Sequence, residues 1–112
     1  MSYVPERGDA VWLNFTPQVG HEQAGRRPAL VLSAAAYNGR VGLAIVCPLT
    51  SQAKGYPFEV ALPFGLPIRG VVLSDQARSL DWRGRQAEFI GRVPASVTDE
   101  VIGKLAALVG FR

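Results

Sequence analysis

The chain has 112 residues, 48% apolar and 19% charged, enough to close one core that buries ~60–70% of its unfolded surface, so a single domain over 1–112 is expected. No stretch approaches the roughly 18 apolar residues of a membrane span, and Met1–Glu6 lacks the basic and apolar regions of a signal peptide, which predicts a cytoplasmic protein. The one cysteine, Cys47, excludes an internal disulfide and reads as a buried thiol among Ile45, Val46 and Pro48, while a net charge of +3 is mild evidence for an anionic partner and decides nothing alone.

In chain order, the apolar runs Ala10–Phe15, Ala29–Ser33, Leu43–Cys47, Phe58–Leu62, Gly70–Leu73 and Ala87–Ile90 read as strands, with Arg78–Leu80 a further short one. Asn38-Gly39, Lys54-Gly55 and Leu66-Pro67 read as turns between them, favouring antiparallel neighbours. Toward the end the period changes. Val101, Ile102, Leu105, Leu108 and Val109 fall at helical spacing, Ser96-Val97-Thr98-Asp99 offers an N-terminal cap, and Gly110 a stop. The fold class is therefore mainly β with a C-terminal helix: a small barrel of five to seven mostly antiparallel strands.

The longest segment without strand character runs from Thr16 to Pro28 and gathers His21, Glu22, Gln23, Arg26 and Arg27. Loops of that length are usually functional. Two further polar segments, Thr50–Pro57 and Ser74–Arg78, follow apolar strands; each alone reads as a capped turn, and their joint pattern is what points to a site. With one His and one Cys the usual zinc sets cannot be assembled, the carboxylates are too scattered for a two-metal nuclease, and no phosphate-binding or dinucleotide glycine motif occurs. Metal-free, cofactor-free chemistry remains. RNA suits it, because the 2′-hydroxyl is a nucleophile held beside its own phosphate and needs only proton transfer and charge stabilisation.

Five ordered motifs carry a resemblance: Gly8-Asp9-Ala10-Val11-Trp12; Gly20-His21-Glu22-Gln23-Ala24-Gly25-Arg26-Arg27-Pro28; Pro48-Leu49-Thr50-Ser51-Gln52; Lys54-Gly55-Tyr56-Pro57-Phe58-Glu59-Val60; and Asp75-Gln76 with Arg78. Together, from Tyr3 to Gly110, they resemble the MazF/Kid family of toxin endoribonucleases from type II toxin-antitoxin systems. The resemblance implies an SH3-like barrel of the CcdB/Kid type that forms a homodimer. It also implies sequence-specific cleavage of single-stranded mRNA without metal or cofactor, leaving a 2′,3′-cyclic phosphate and a 5′-hydroxyl, and growth inhibition relieved by the C-terminal peptide of a cognate antitoxin.

Carried over by position, Arg27 and Thr50 match the catalytic places of the family, with Glu22 beside them as candidate base. Arg27, always charged, would stabilise the pentavalent phosphate, and the Thr50 hydroxyl would hold a phosphate oxygen. In the Kid branch the places of His21 and Asp75 act with an arginine two residues before that aspartate. Here that place is Leu73, which counts against an Asp75-centred mechanism. His21 remains a candidate for protonating the leaving oxygen and ranks below Arg27 and Thr50.

Lys54, Arg78, Arg83 and Arg85 are candidates to hold phosphates, Gln76 and the Tyr56 ring to meet splayed bases, and Gln23, Ser51 and Asp75 complete the RNA-contacting set. Trp12 and Trp82, at strand-like positions, read as core or interface anchors. The main alternative is a gyrase-binding toxin of the same fold that cuts nothing. Such chains end in a Trp-containing segment, whereas this one ends Val109-Gly110-Phe111-Arg112. An inactive interaction module is the third reading, and nothing at Arg27 or Thr50 suggests it.

Overall fold

The computed structural model describes residues 3–15 and 25–111. Among them the chain runs β1 (Asp9–Asn14), β2 (Arg26–Val31), α1 (Ala35–Val41), β3 (Leu43–Thr50), β4 (Glu59–Ala61), β5 (Val71–Leu73), a single 3-10 turn (Ser74–Gln76), β6 (Arg78–Asp81), β7 (Glu88–Arg92) and α2 (Ala95–Leu108). The apolar runs thus form the strands expected of them. The seven strands make one sheet in the order β4-β5-β3-β2-β1-β7, with β6 added alongside β3. Every pairing is antiparallel. The fold is mainly β with a C-terminal helix, and the sheet stays open, its path ending at β4 and β7.

β3 is the organising strand. Its near half pairs with β6 through Leu43–Val46, and its far end pairs with β5 through Leu49 and Thr50, while β2 runs along its other edge. A strand with neighbours on both edges is buried over most of its length: Ala44, Val46, Cys47 and Leu49 are all in the core. Side chains of opposite pleat sort into two apolar clusters. One joins Leu30, Cys47, Leu49, Val60 and Val72 to Val97 and Val101 of α2; the other joins Val11, Leu13, Phe15, Val31 and Val46 to Leu80 and Trp82. Cys47 is buried as expected, and desolvation, reinforced by the nearby Asp75 carboxylate, pushes its thiol pKa up to about 12, so it is inert at neutral pH.

Three local expectations are corrected. Arg26, Arg27 and Pro28, read as the end of a segment without strand character, open β2, paired with β1. Asn38-Gly39 is not a turn: it lies inside α1, which ends instead at Gly42 in the left-handed conformation (φ 84°). The helix depends on tertiary bonds. The buried Asn38 amide donates to the carbonyls of Pro5 (2.8 Å) and Ser33 (2.9 Å) and accepts the Ser33 hydroxyl (2.6 Å), while the Asn38 carbonyl accepts the Trp82 indole N–H (2.9 Å). Likewise α2 starts after Pro94 with no side-chain cap, so Ser96 lies within its first turn rather than before it. A proline there fits, since its fixed φ suits a helix entrance. No helix among the described residues is long and apolar enough to cross a membrane.

Candidate active site

The far ends of β2 and β3 carry the two residues singled out first. In the β2–β3 ladder Val31 faces Val46, Leu30 faces Cys47 and Ala29 faces Pro48. Arg27 and Thr50 each lie two residues beyond the last pair of that ladder, at the same end of the sheet. On its other edge, Thr50 pairs with Val71 of β5. Arg27 and Thr50 line one cleft of about 380 Å³, shared with Trp12, Arg26, Pro28, Leu49, Ser51, Pro67, Ile68, Arg69 and Ile90.

Among the described residues the lining contains three guanidiniums and no carboxylate, a balance of charge that suits an anion. Arg26 donates to Glu88 (3.1 Å), to the Gln86 carbonyl (3.0 Å) and to Asn14 (3.3 Å). Thr50 Oγ1 accepts the Gln52 amide at 3.1 Å. That bond fixes the oxygen and leaves the hydroxyl proton to be donated to an acceptor in the cleft. Between Phe15 and Gly25 a backbone bond (Phe15 N–H to Gly25 O, 2.8 Å) ties the end of β1 to the residue before Arg26.

His21, Glu22 and Gln23 lie outside the described residues. Ser51 lines the cleft with Arg27 and Thr50; the remaining candidates do not. Lys54 and Tyr56 sit on the exposed segment after Thr50. There the backbone amides of Lys54 and Gly55 donate to the Glu59 carboxylate at 3.0 Å each, and the Tyr56 ring, 50% exposed, rests 5.3 Å from that of Phe58. Asp75 and Gln76 form the 3-10 turn, and Arg78 follows in β6 with its guanidinium 5.9 Å from the Phe15 ring. Burial, with Glu59 adding to it, raises the Asp75 pKa above the ordinary carboxyl value, while a backbone hydrogen bond pulls the other way. Arg83 and Arg85 belong to the turn between β6 and β7; Arg83 stacks 4.7 Å over Trp82, and Arg85 donates to the Asn14 carbonyl at 3.0 Å.

The tryptophans divide. Trp82 is core, 4% exposed, as expected, but Trp12 is 39% exposed and forms part of the cleft. Sequence reasoning also missed Arg69, because Leu66-Pro67 reads as a turn and an arginine beside it as surface. The one available signal was Gly70 immediately after it, a residue type that permits close backbone approach.

Comparison with known proteins places the chain. The family described as PemK-like, MazF-like toxin of type II toxin-antitoxin system matches residues 6–109. The endoribonuclease toxin MazF of Escherichia coli (strain K12) is 45% identical over 108 residues, 96% of either chain. The endoribonuclease toxin ChpB of the same organism is 40% identical over 112 residues, 93% of each. Among solved structures, MazF from Deinococcus radiodurans superposes with a TM-score of 0.95 at 64% identity, covering 98% of this chain and all of that one (100%). A MazE-MazF complex from the same organism gives 0.90 at 64%, covering 99% and 100%.

Proposed function

Since this chain belongs to the PemK-like, MazF-like toxin family of type II toxin-antitoxin systems, we propose that it is a sequence-specific endoribonuclease toxin. It cuts single-stranded mRNA without a metal, and an antitoxin peptide silences it. The observation that carries the chemistry is the single cleft that Arg27 and Thr50 both line. Relatives named endoribonuclease at 40–45% identity support the activity, and the solved MazE-MazF complexes of a 64% identical neighbour support the antitoxin.

The reaction is an intramolecular displacement. The ribose 2′-oxygen attacks the adjacent phosphorus as its proton passes to a base; the bond from phosphorus to the 5′-oxygen breaks, and that oxygen takes a proton. The products are a 2′,3′-cyclic phosphate and a 5′-hydroxyl. Arg27 neutralises the charge that builds on the non-bridging oxygens, and the Thr50 hydroxyl donates to one of them. Glu22 and His21 are assigned as base and acid. Because the nucleophile belongs to the substrate, positioning and charge stabilisation suffice, and the active protein is expected as a cytoplasmic homodimer of single-domain chains.

The test is to incubate the purified protein with a long single-stranded RNA in EDTA and sequence the fragment ends. Cuts confined to one short sequence, with 5′-hydroxyl ends, are the expected result. RNA left intact, with gyrase-dependent DNA breakage instead, overturns this reading in favour of a binding poison.

A further inference from the structure

The segment joining β4 to β5 is held against the sheet at two places that tolerate no side chain. A Cβ built on Gly70 would stand 2.2 Å from the Thr50 carbonyl oxygen, and one on Gly91 of β7 would stand 2.8 Å from Pro67 Cγ. Ile68, between them, packs against the core beside Val60 and Val72. The Gly70 carbonyl also accepts the Leu62 amide at 3.0 Å, closing the segment at its base. Arg69 is therefore an exposed side chain on a backbone clamped on both sides, and it opens into the cleft that holds Arg27 and Thr50.

Strand order gives its position. β3 lies between β2 and β5: on the β2 side Arg27 stands two residues beyond the last ladder pair, Ala29 with Pro48, and on the other side Thr50 pairs with Val71, with Arg69 two residues before it. Arg26 in the same cleft is already bonded to Glu88, Gln86 and Asn14. Among the described residues Arg69 donates to no group, and none of those lining the cleft is a carboxylate. A guanidinium so placed can pair with an anion lying in the cleft.

We propose that Arg69 binds the RNA phosphate next to the scissile one, so that the substrate backbone is held from both sides of Thr50. The inference rests on the nuclease reading and adds to it a residue that acts on binding and register rather than on bond cleavage. Arg27 bears the charge that develops in the reaction; Arg69 bears charge present before and after it.

The probe is an RNA oligonucleotide carrying the mapped cleavage sequence, made uncleavable by a 2′-deoxy residue at the scissile position and titrated at several salt concentrations. Arg69→Ala should weaken binding about tenfold and lower the slope of log affinity against log salt by about 0.7, the loss of one phosphate contact on a single strand. The cleavage rate at saturating RNA should fall by less than about threefold, the reverse of the pattern for a group acting in the transition state. Arg69→Lys, which keeps the charge, should recover the salt slope. If wild-type protein cuts RNA while Arg69→Ala binds with wild-type affinity and slope, this proposal fails and the nuclease reading stands. If wild-type protein neither binds nor cuts RNA, the nuclease reading fails and carries this one with it.

Discussion

Gly70 lies against the backbone of Thr50 so closely that a methyl group on it would come within 2.2 Å of the Thr50 carbonyl oxygen. Its φ of +118° adds a second reason for glycine at this place. The obstacle is backbone, not a side chain that can swing away, so Gly70→Ala must shift either Thr50 or the Arg69 segment. A cost of about 2–4 kcal/mol in stability is expected, together with a loss of RNA cleavage larger than the fraction unfolded explains. Thermal melts and cleavage rates on the same preparation check it; full activity with an unchanged melt contradicts it.

Asn38 ties three parts of the chain together: its amide reaches Pro5 and Ser33, and its carbonyl takes the Trp82 indole N–H. Asn38, Pro5 and Trp82 are buried and Ser33 is half-buried, so losing the amide strands two carbonyls and the Ser33 hydroxyl in a largely dry setting. Asn38→Ala should cost about 2–4 kcal/mol in denaturant unfolding. A change below about 1 kcal/mol would show that the helix holds without this network.

Glu6 carries a pH-dependent part of the stability. Its carboxylate accepts the Ala35 amide at the start of α1 (2.9 Å) and the Arg7 amide (2.8 Å), and these bonds hold its pKa below the ordinary 4.5. A lowered folded pKa means the contribution is fully present above the unfolded value and is lost as pH falls through the folded one. Wild type should therefore melt above Glu6→Gln at pH 6–7, with the gap closing below the ordinary value of 4.5. A gap that stays constant down to pH 3 contradicts the assignment.

Much of the architecture was legible because β-branched and aliphatic runs between Gly and Pro punctuation can only be strands of a half- or fully buried sheet, and 101–109 could only be an amphipathic helix. What sequence could not show was decided by tertiary contact. Asn38-Gly39 has turn chemistry, yet the Pro5, Ser33 and Trp82 bonds make Asn38 a buried helical residue. Trp12 follows three buried residues in β1 and reads from sequence as a core or interface anchor; the fold excludes the core, since it is part-exposed and lines the cleft opposite Pro28. Motif alone points to Arg27 and Thr50, and it is the antiparallel pairing of β2 with β3 that brings residues 23 apart in sequence to the same end of the sheet and into one cleft. Arg69 carried no motif at all; its meaning comes from the two glycine contacts that fix its backbone.

In the proposed reaction Arg27 and Thr50 act on one phosphodiester. The most direct measurement is the single-turnover cleavage rate of an RNA carrying the mapped sequence, in EDTA, for wild type, Arg27→Ala and Thr50→Ala at saturating protein. Each variant should cut more slowly by about 10²–10⁴, with circular dichroism spectra and melting temperatures close to wild type. Either variant cutting at the wild-type rate, or wild type losing its activity in EDTA, contradicts it.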